Sequence, residues 1–303
     1  MTRIVCIGEC MVEMAPLDTV GTYRMGFAGD TLNTAWYLAK LLGDRAQIGY
    51  FTAVGTDSLS DQMLDFLGSA KIETTFILRR AEQTVGLYMI QLQDGERSFS
   101  YWRGQSAART LAQSGKDIAK ALDSADIAYF SGITLAILPE QDRDTLLEQL
   151  QDFGSHGGQV VFDPNLRPKL WHDTATMTSA ITKAAQCSHV VLPTHEDEAT
   201  WFGDATPIDT AKRYTDLGAS IVVVKNGPGE IILHTERGAQ HLAPTHVVNV
   251  VDTTAAGDSF NAGFLAARCT GLSPEHAVST GAQLAARVVT HRGALVPEAI
   301  NAS

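Results

Sequence analysis

The sequence predicts an α/β fold, a mostly parallel central sheet covered by helices on both faces, with one small β insertion that is an edge feature or a lid. Three observations carry this prediction. Short apolar runs rich in β-branched residues recur between helical patterns, as strands buried on both faces require. The 303 residues are 45% hydrophobic, enough for a sizeable core. One segment, residues 86–104, interrupts the alternation with a period-2 pattern of its own.

In chain order the strand-like runs are RIVCIG from Arg3, QIGYFTAVG from Gln47, DIAYFSGI from Asp126, QVVFDPN from Gln159, HVVLPT from His189 and SIVVVKNG from Ser220. A helix begins near Asp30, with Leu32, Ala35, Trp36, Ala39 and Leu42 at helical spacing, and Gly43 is placed to end it. A second runs from Pro139 through Leu147 and Leu150, and two alanine-rich helices begin near Gly257 and Pro274. No repeat, low-complexity tract or linker divides the chain, so residues 1–303 read as one domain.

The interrupting segment, GLYMIQLQDGERSFSYWRG, reads as a β-hairpin whose Asp94-Gly95 pair signals a type I′ turn. Strand alternation puts Phe99, Tyr101 and Arg103 on one face and Tyr88 with Ile90 on one face of the partner strand. Two tyrosines and an arginine suit a polar ligand; an ordinary solvated face is the alternative. Trp102, on the opposite face, is expected to pack against the sheet.

Composition narrows the function. A formal net charge of −11 opposes a nucleic-acid or acidic-membrane surface, which needs dense Lys/Arg patches. There is no apolar run of about 18 residues and no signal-peptide pattern at MTRIVCIGEC, so a cytoplasmic protein is expected. Cys6, Cys10, Cys187 and Cys269 are scattered and read as buried free thiols. His195-Glu196 is followed by Ala199 where a zincin needs histidine, no GxxxxGK[ST] loop occurs, and Gly8-Glu9-Cys10 replaces a dinucleotide fingerprint after the first strand.

DTTAAGDSF, residues 252–260, sets Asp258 behind Ala255, Ala256 and Gly257 at the head of a helical pattern. A carboxylate there can cap the helix. Three residues with almost no side chain point instead to something large approaching the main chain. Both readings stand on the residues alone.

DTTAAGDSF together with FAGDTLNTA (residues 27–35) resembles, in order and spacing, the two signatures of ribokinase-like, PfkB-type sugar kinases. Within that family GDTLNTA, GERSFSYWR, SAAR (106–109) and DPNLRP (163–168) resemble the branch acting on 2-keto-3-deoxygluconate. The resemblance implies a three-layer α/β/α core with a lid from about residues 9–28 and 86–106. It implies ATP-dependent phosphorylation of a sugar acid, with magnesium, and makes Asp258 the catalytic base and the amides of Ala255, Ala256 and Gly257 an anion hole. Gly29, Asp30, Asn33, Tyr88, Tyr101 and Arg103 would hold the sugar acid, with Arg103 matching its carboxylate. Arg167 would lie near both substrates, and Asn165, Lys225, Asn226, Gly227 and Gly229 would serve ATP. Glu196, Asp197 and Glu198 are candidates to organise magnesium or, alternatively, a solvated helix start. The chain departs from the family pattern at Ala255, usually glycine, at Glu230, where the nucleotide loop usually ends in glycine, and at Thr194, often asparagine. Small-molecule partners and a homo-oligomer are expected; a fructokinase or ribokinase, or a non-catalytic sugar-acid sensor on the same fold, are the rivals.

Overall fold

The computed structural model describes residues 1–93 and 96–300, and every strand-like run of the sequence contributes a strand to one nine-stranded sheet. From edge to edge its strands are Gly238–Leu242, Ile231–Thr235, Ile221–Val224, Val190–Val191, Gln159–Asp163, Ile127–Ser131, Thr2–Ile7, Ala46–Phe51 and Ile72–Glu73. The seven from Ile221–Val224 onward are parallel, and the first two form an antiparallel hairpin at the edge.

Alternation along the first strand builds two cores. Ile4 and Cys6 point into one, Val5 and Ile7 into the other. Helices Asp30–Leu42, Ser58–Ser69, Ala256–Cys269 and Pro274–Val288 cover the first face with Leu32, Met63, Phe264 and Val278. Helices Gly115–Leu122, Glu140–Ser155, Thr174–Gln186 and Pro207–Asp216 cover the second with Ile118, Leu150, Ile181 and Tyr214. Each such Leu, Ile, Val, Met or Phe side chain contributes roughly 1.5–3 kcal/mol on burial. Gly43 ends the first helix at φ 52°, as its position predicts. The last two helices touch at Gly263 and Gly281, where a Cβ on Gly263 would lie 2.9 Å from the Gly281 Cα. Glycine there sets how deeply Asp258's helix sits.

A separate four-stranded sheet has the order Tyr23–Ala28, Met11–Pro16, Gly86–Gln93, Glu96–Trp102. Its register puts Tyr88 opposite Tyr101 and Ile90 opposite Phe99, the shared face that alternation predicts. The Asp94-Gly95 turn lies outside the described residues. Trp102 does not pack: it is 59% exposed. Its face is covered around Val12 and Phe27, where Phe27 meets Phe66 with ring centroids 5.4 Å apart, but that cover stops short of the edge strand. Of the four free cysteines only Cys6 and Cys10 are buried; Cys187 and Cys269 are half-buried. No helix among the described residues is long and apolar enough to cross a membrane.

Candidate active site

A cleft of about 410 Å³ opens where the parallel strands end, between the two sheets. Side chains leaving the carboxyl ends of parallel strands face such a crevice. Here they are Asp163, the last residue of its strand, and Thr194 and Lys225, just beyond theirs. Gly29, Asp30 and Asn33 arrive from one helix start and Ala255, Ala256, Gly257 and Asp258 from another, with Tyr88, Phe99, Tyr101 and Arg103 from the small sheet. Asn165, Arg167, Glu196 and Asp197 complete the opposite wall.

The structure removes the cap reading of Asp258. The helix begins at Ala256 after Ala255, whose φ of 58° is left-handed. Alanine therefore takes the backbone turn that glycine usually supplies, at about 1–2 kcal/mol of strain. Asp258 is the third residue of the helix and caps nothing. Its Oδ2 accepts instead from Asn33 Nδ2 at 2.8 Å. Asn33 Oδ1 accepts from the Gly29 N–H at 3.4 Å, and the Thr34 hydroxyl donates to the Asp258 carbonyl at 3.2 Å. Two helix starts are thus bonded side by side. The Ala256 N–H turns back to the Thr253 carbonyl at 3.2 Å, so one of the three amides of the expected anion hole is engaged within the protein.

The cleft carries surplus negative charge. Burial, and next the neighbouring Asp30 charge, push the Asp258 carboxyl up to about 8, against the Asn33 hydrogen bond and the more distant Lys225. Burial likewise raises Asp30, opposed by hydrogen bonds from Ser131, Thr31 and Asn165, whose Nδ2 donates at 3.0 Å. Lys225 Nζ lies 3.4 Å from both Asp163 oxygens and 3.1 Å from Asn261 Oδ1. Asn261 Nδ2 donates to Asp163 at 2.7 Å and to the Tyr129 hydroxyl at 3.0 Å. Sequence reasoning missed Asn261 and Asp163 as a supporting layer. The available signal was spacing: Asn261 stands three residues after Asp258, on the same helix face.

The remaining expectations divide. Helix His195–Phe202 presents Glu196 and Asp197 to the cleft, with Asp197 3.6 Å from Arg167. Glu198 is not a magnesium candidate and not solvated. It is fully buried, accepting from Arg213 at 2.6 Å and from the Tyr214 hydroxyl at 2.9 Å, because one further helical step rotates it away from the cleft. Of the expected nucleotide loop only Lys225 lines the cleft; Asn226, Gly227 and Gly229 form the turn into the edge hairpin. Arg103 lines the cleft but is also ion-paired with Glu9, a buried residue that sequence reasoning passed over. Burial pushes the Glu9 carboxyl up, and Arg103 and the Ser106 hydroxyl pull it back.

Comparison with known proteins gives the family. Residues 1–300 match the pfkB family carbohydrate kinase. The 2-dehydro-3-deoxygluconokinase of Haemophilus influenzae is 40% identical over 303 residues, covering 98% of this chain and 96% of that one. A crystal structure of a PfkB protein from Polaromonas sp. JS666 superposes with a TM-score of 0.84 at 30% identity, covering 95% of this chain and 96% of that chain. A fructokinase from Xylella fastidiosa, solved with bound ATP, superposes with a TM-score of 0.82 at 25% identity, covering 96% of this chain and 93% of that chain.

Proposed function

The chain belongs to the pfkB family of carbohydrate kinases, and from that premise we propose that it is an ATP-dependent 2-dehydro-3-deoxygluconokinase, transferring the γ-phosphoryl group of ATP to the terminal hydroxyl of 2-keto-3-deoxygluconate. The observation that carries the chemistry is a buried carboxyl, Asp258, raised to about 8 at a helix start of very small residues. A base with an acidity near the working pH is suited to take the proton of an alcohol as its oxygen attacks phosphorus. The new bond joins that oxygen to the phosphoryl group, the bond to the ADP oxygen breaks, and the proton passes to Asp258.

The other roles follow from position. The amides of Ala255 and Gly257 and the ammonium of Lys225 would face the transferring group. A Cβ at Gly257 would point toward Lys225 Nζ at 3.5 Å, so any larger residue takes space that a phosphate needs. Gly29, Asp30 and Asn33 would hold the sugar hydroxyls, and Tyr88, Tyr101 and Arg103 would close over the sugar acid from the small sheet, which serves as a lid. Arg167 and Asn165, on the opposite wall, would lie between this side and the nucleotide. Magnesium fits the wall formed by Glu196 and Asp197, because it binds through one or two carboxylates while phosphates and water fill its other positions. When bound it neutralises phosphate charge. The substrate assignment favours a sugar acid over fructose or ribose because Arg103 and two tyrosines share the wall that faces the helix starts.

A coupled ADP-release assay on 2-keto-3-deoxygluconate, fructose and ribose tests this. The keto-acid should show a kcat/KM at least about tenfold above the neutral sugars, the lower bound of a charge-assisted hydrogen bond of about 1.5 kcal/mol. A preference for fructose would overturn the substrate while leaving a kinase; no turnover on any of them would leave a binding protein.

A further inference from the structure

Glu9 stands where the two sheets meet. It follows strand Thr2–Ile7 and leads into Met11–Pro16, and its side chain is only 1% exposed. Its carboxylate is ion-paired with the Arg103 guanidinium and accepts a hydrogen bond from the Ser106 hydroxyl. Two chain segments far apart in sequence, around residues 9 and 103–106, are therefore joined by one buried acid. The pair passes directly beside Gly86, where a Cβ would come within 2.8 Å of Glu9 Oε1 and 3.2 Å of the Arg103 Cβ. Glycine at the start of that strand leaves room for the two side chains to meet. Tyr101 lies under the guanidinium, 5.9 Å from ring centroid to Cζ.

The arrangement constrains what Arg103 can do. An arginine on a long stem lines a cleft whose other charges include Asp30, Asp163 and Asp258, and it would be drawn onto any of them. Glu9 competes with all three from behind, on the small-sheet side. We propose that Glu9 is a positioning residue for Arg103: it anchors the guanidinium against the small sheet through Nη2, so that Nη1 is held toward the cleft for the carboxylate of a sugar acid. The proposal rests on Arg103 being the carboxylate reader. The opposite effect is also physically available, since Glu9 neutralises part of the charge that attracts an anion. The two effects move binding in opposite directions when the charge on Glu9 is removed.

The test is steady-state kinetics of wild type, Glu9→Gln, Arg103→Ala and the double variant on 2-keto-3-deoxygluconate and on fructose. Glu9→Gln should raise KM for the keto-acid about tenfold, with kcat within about threefold and KM for ATP and for fructose unchanged. The double variant should be no worse than Arg103→Ala alone, because an anchor has no effect once its arginine is gone. A lowered KM in Glu9→Gln would make Glu9 a brake on anion binding and overturn the proposal, as would equal changes for both sugars or additive losses in the double variant. If Glu9→Gln does not fold, Ser106→Ala removes only the hydroxyl that orients Glu9. It should raise the keto-acid KM about two- to threefold, and no change there is equally fatal. Loss in Arg103→Ala without loss in Glu9→Gln defeats the anchor alone, whereas an unaffected Arg103→Ala defeats the carboxylate reader and the anchor with it.

Discussion

Asp258 and Glu198 are both carboxyls buried within the first turn of a helix, and both are raised, to about 8 and about 7. Their surroundings differ. Glu198 meets Arg213 at 2.6 Å and Tyr214 at 2.9 Å, and Arg213 is held in turn by Asp204 at 2.8 Å and lies 3.9 Å from the Phe202 ring centroid. Asp258 has the side-chain amide of Asn33, with Asp30 and Asp163 adding charge of its own sign. Burial raises both groups, but a cation and two donors make one of them a staple between helices. The other is left with free energy that a ligand or a proton can relieve. A raised carboxyl marks chemistry only where its neighbours leave it unbalanced.

The largest expected effect breaks the comparison on the Asp258 side. Asp258→Asn keeps the size and one acceptor for Asn33 but cannot take a proton, so kcat should fall by about 10²–10⁴ with the sugar KM little changed. In the wild type kcat/KM should rise with pH as one group loses its proton, reaching half its maximum near pH 8 and levelling off about one pH unit higher. ADP release measured across pH checks both. A variant retaining more than a tenth of wild-type kcat, or a wild-type profile flat from pH 6 to 9, would remove Asp258 as the base.

These two acids also mark where sequence reasoning worked and where it stopped. Strands buried on both faces, such as Ile127–Ser131, were legible because the requirement is local: each residue must be apolar. The edge hairpin Ile231–Leu242 was not, because His234, Glu236, Arg237, Gln240 and His241 break any continuous apolar run. In the cleft, Gly29, Asp30, Asn33 and Asp258 come together because their signatures fall at helix starts, and period-2 alternation places Tyr88, Tyr101 and Arg103 on one wall. Periodicity says nothing about which distant residue lies behind that wall. Glu9 opposite Arg103, Arg213 beneath Glu198 and the open solvent beside Trp102 all depend on how far a neighbouring element extends. Glu196 and Asp197 face the cleft and Glu198 does not, a distinction of one helical step that requires knowing where the helix begins.

A smaller effect sharpens the Glu198 side. Arg213→Met keeps the apolar stem but leaves Glu198 and Asp204 buried without their cation. Breaking such a pair costs about 3–5 kcal/mol when it is wholly buried; with Arg213 23% exposed, about 2–3 kcal/mol is expected, or a Tm lower by roughly 5–10 °C. Turnover per folded molecule should be unchanged, since Arg213 lies outside the cleft lining. The loss should also be less at pH 5 than at pH 8, because Glu198 can then take up a proton in place of its partner. A variant that is fully stable but slow would reverse the roles assigned to the two regions.

The smallest effect returns to Asp258 and concerns stability instead of rate. Its carboxyl is raised from 3.8 to about 8 by folding, so between those values the folded protein holds a proton that the unfolded chain has released. Stability then falls as pH rises through that window, with the full contribution present below about 4 and gone above about 8. The amide that Asp258→Asn introduces carries no such proton, and the variant should not show this fall. Ligand-free wild type and variant should therefore melt at similar temperatures at about pH 4, and at pH 8 the inactive variant should be the more stable by about 1 kcal/mol or more, roughly 2–4 °C per kcal/mol. The groups remote from the cleft are common to the two proteins and cancel, so the difference in Tm reports Asp258 together with the Asp30 charge that bears on it. A difference that stays constant from pH 5 to 8 would mean that Asp258 is as well balanced as Glu198, and burial at a helix start would no longer distinguish the acid that reacts from the acid that holds.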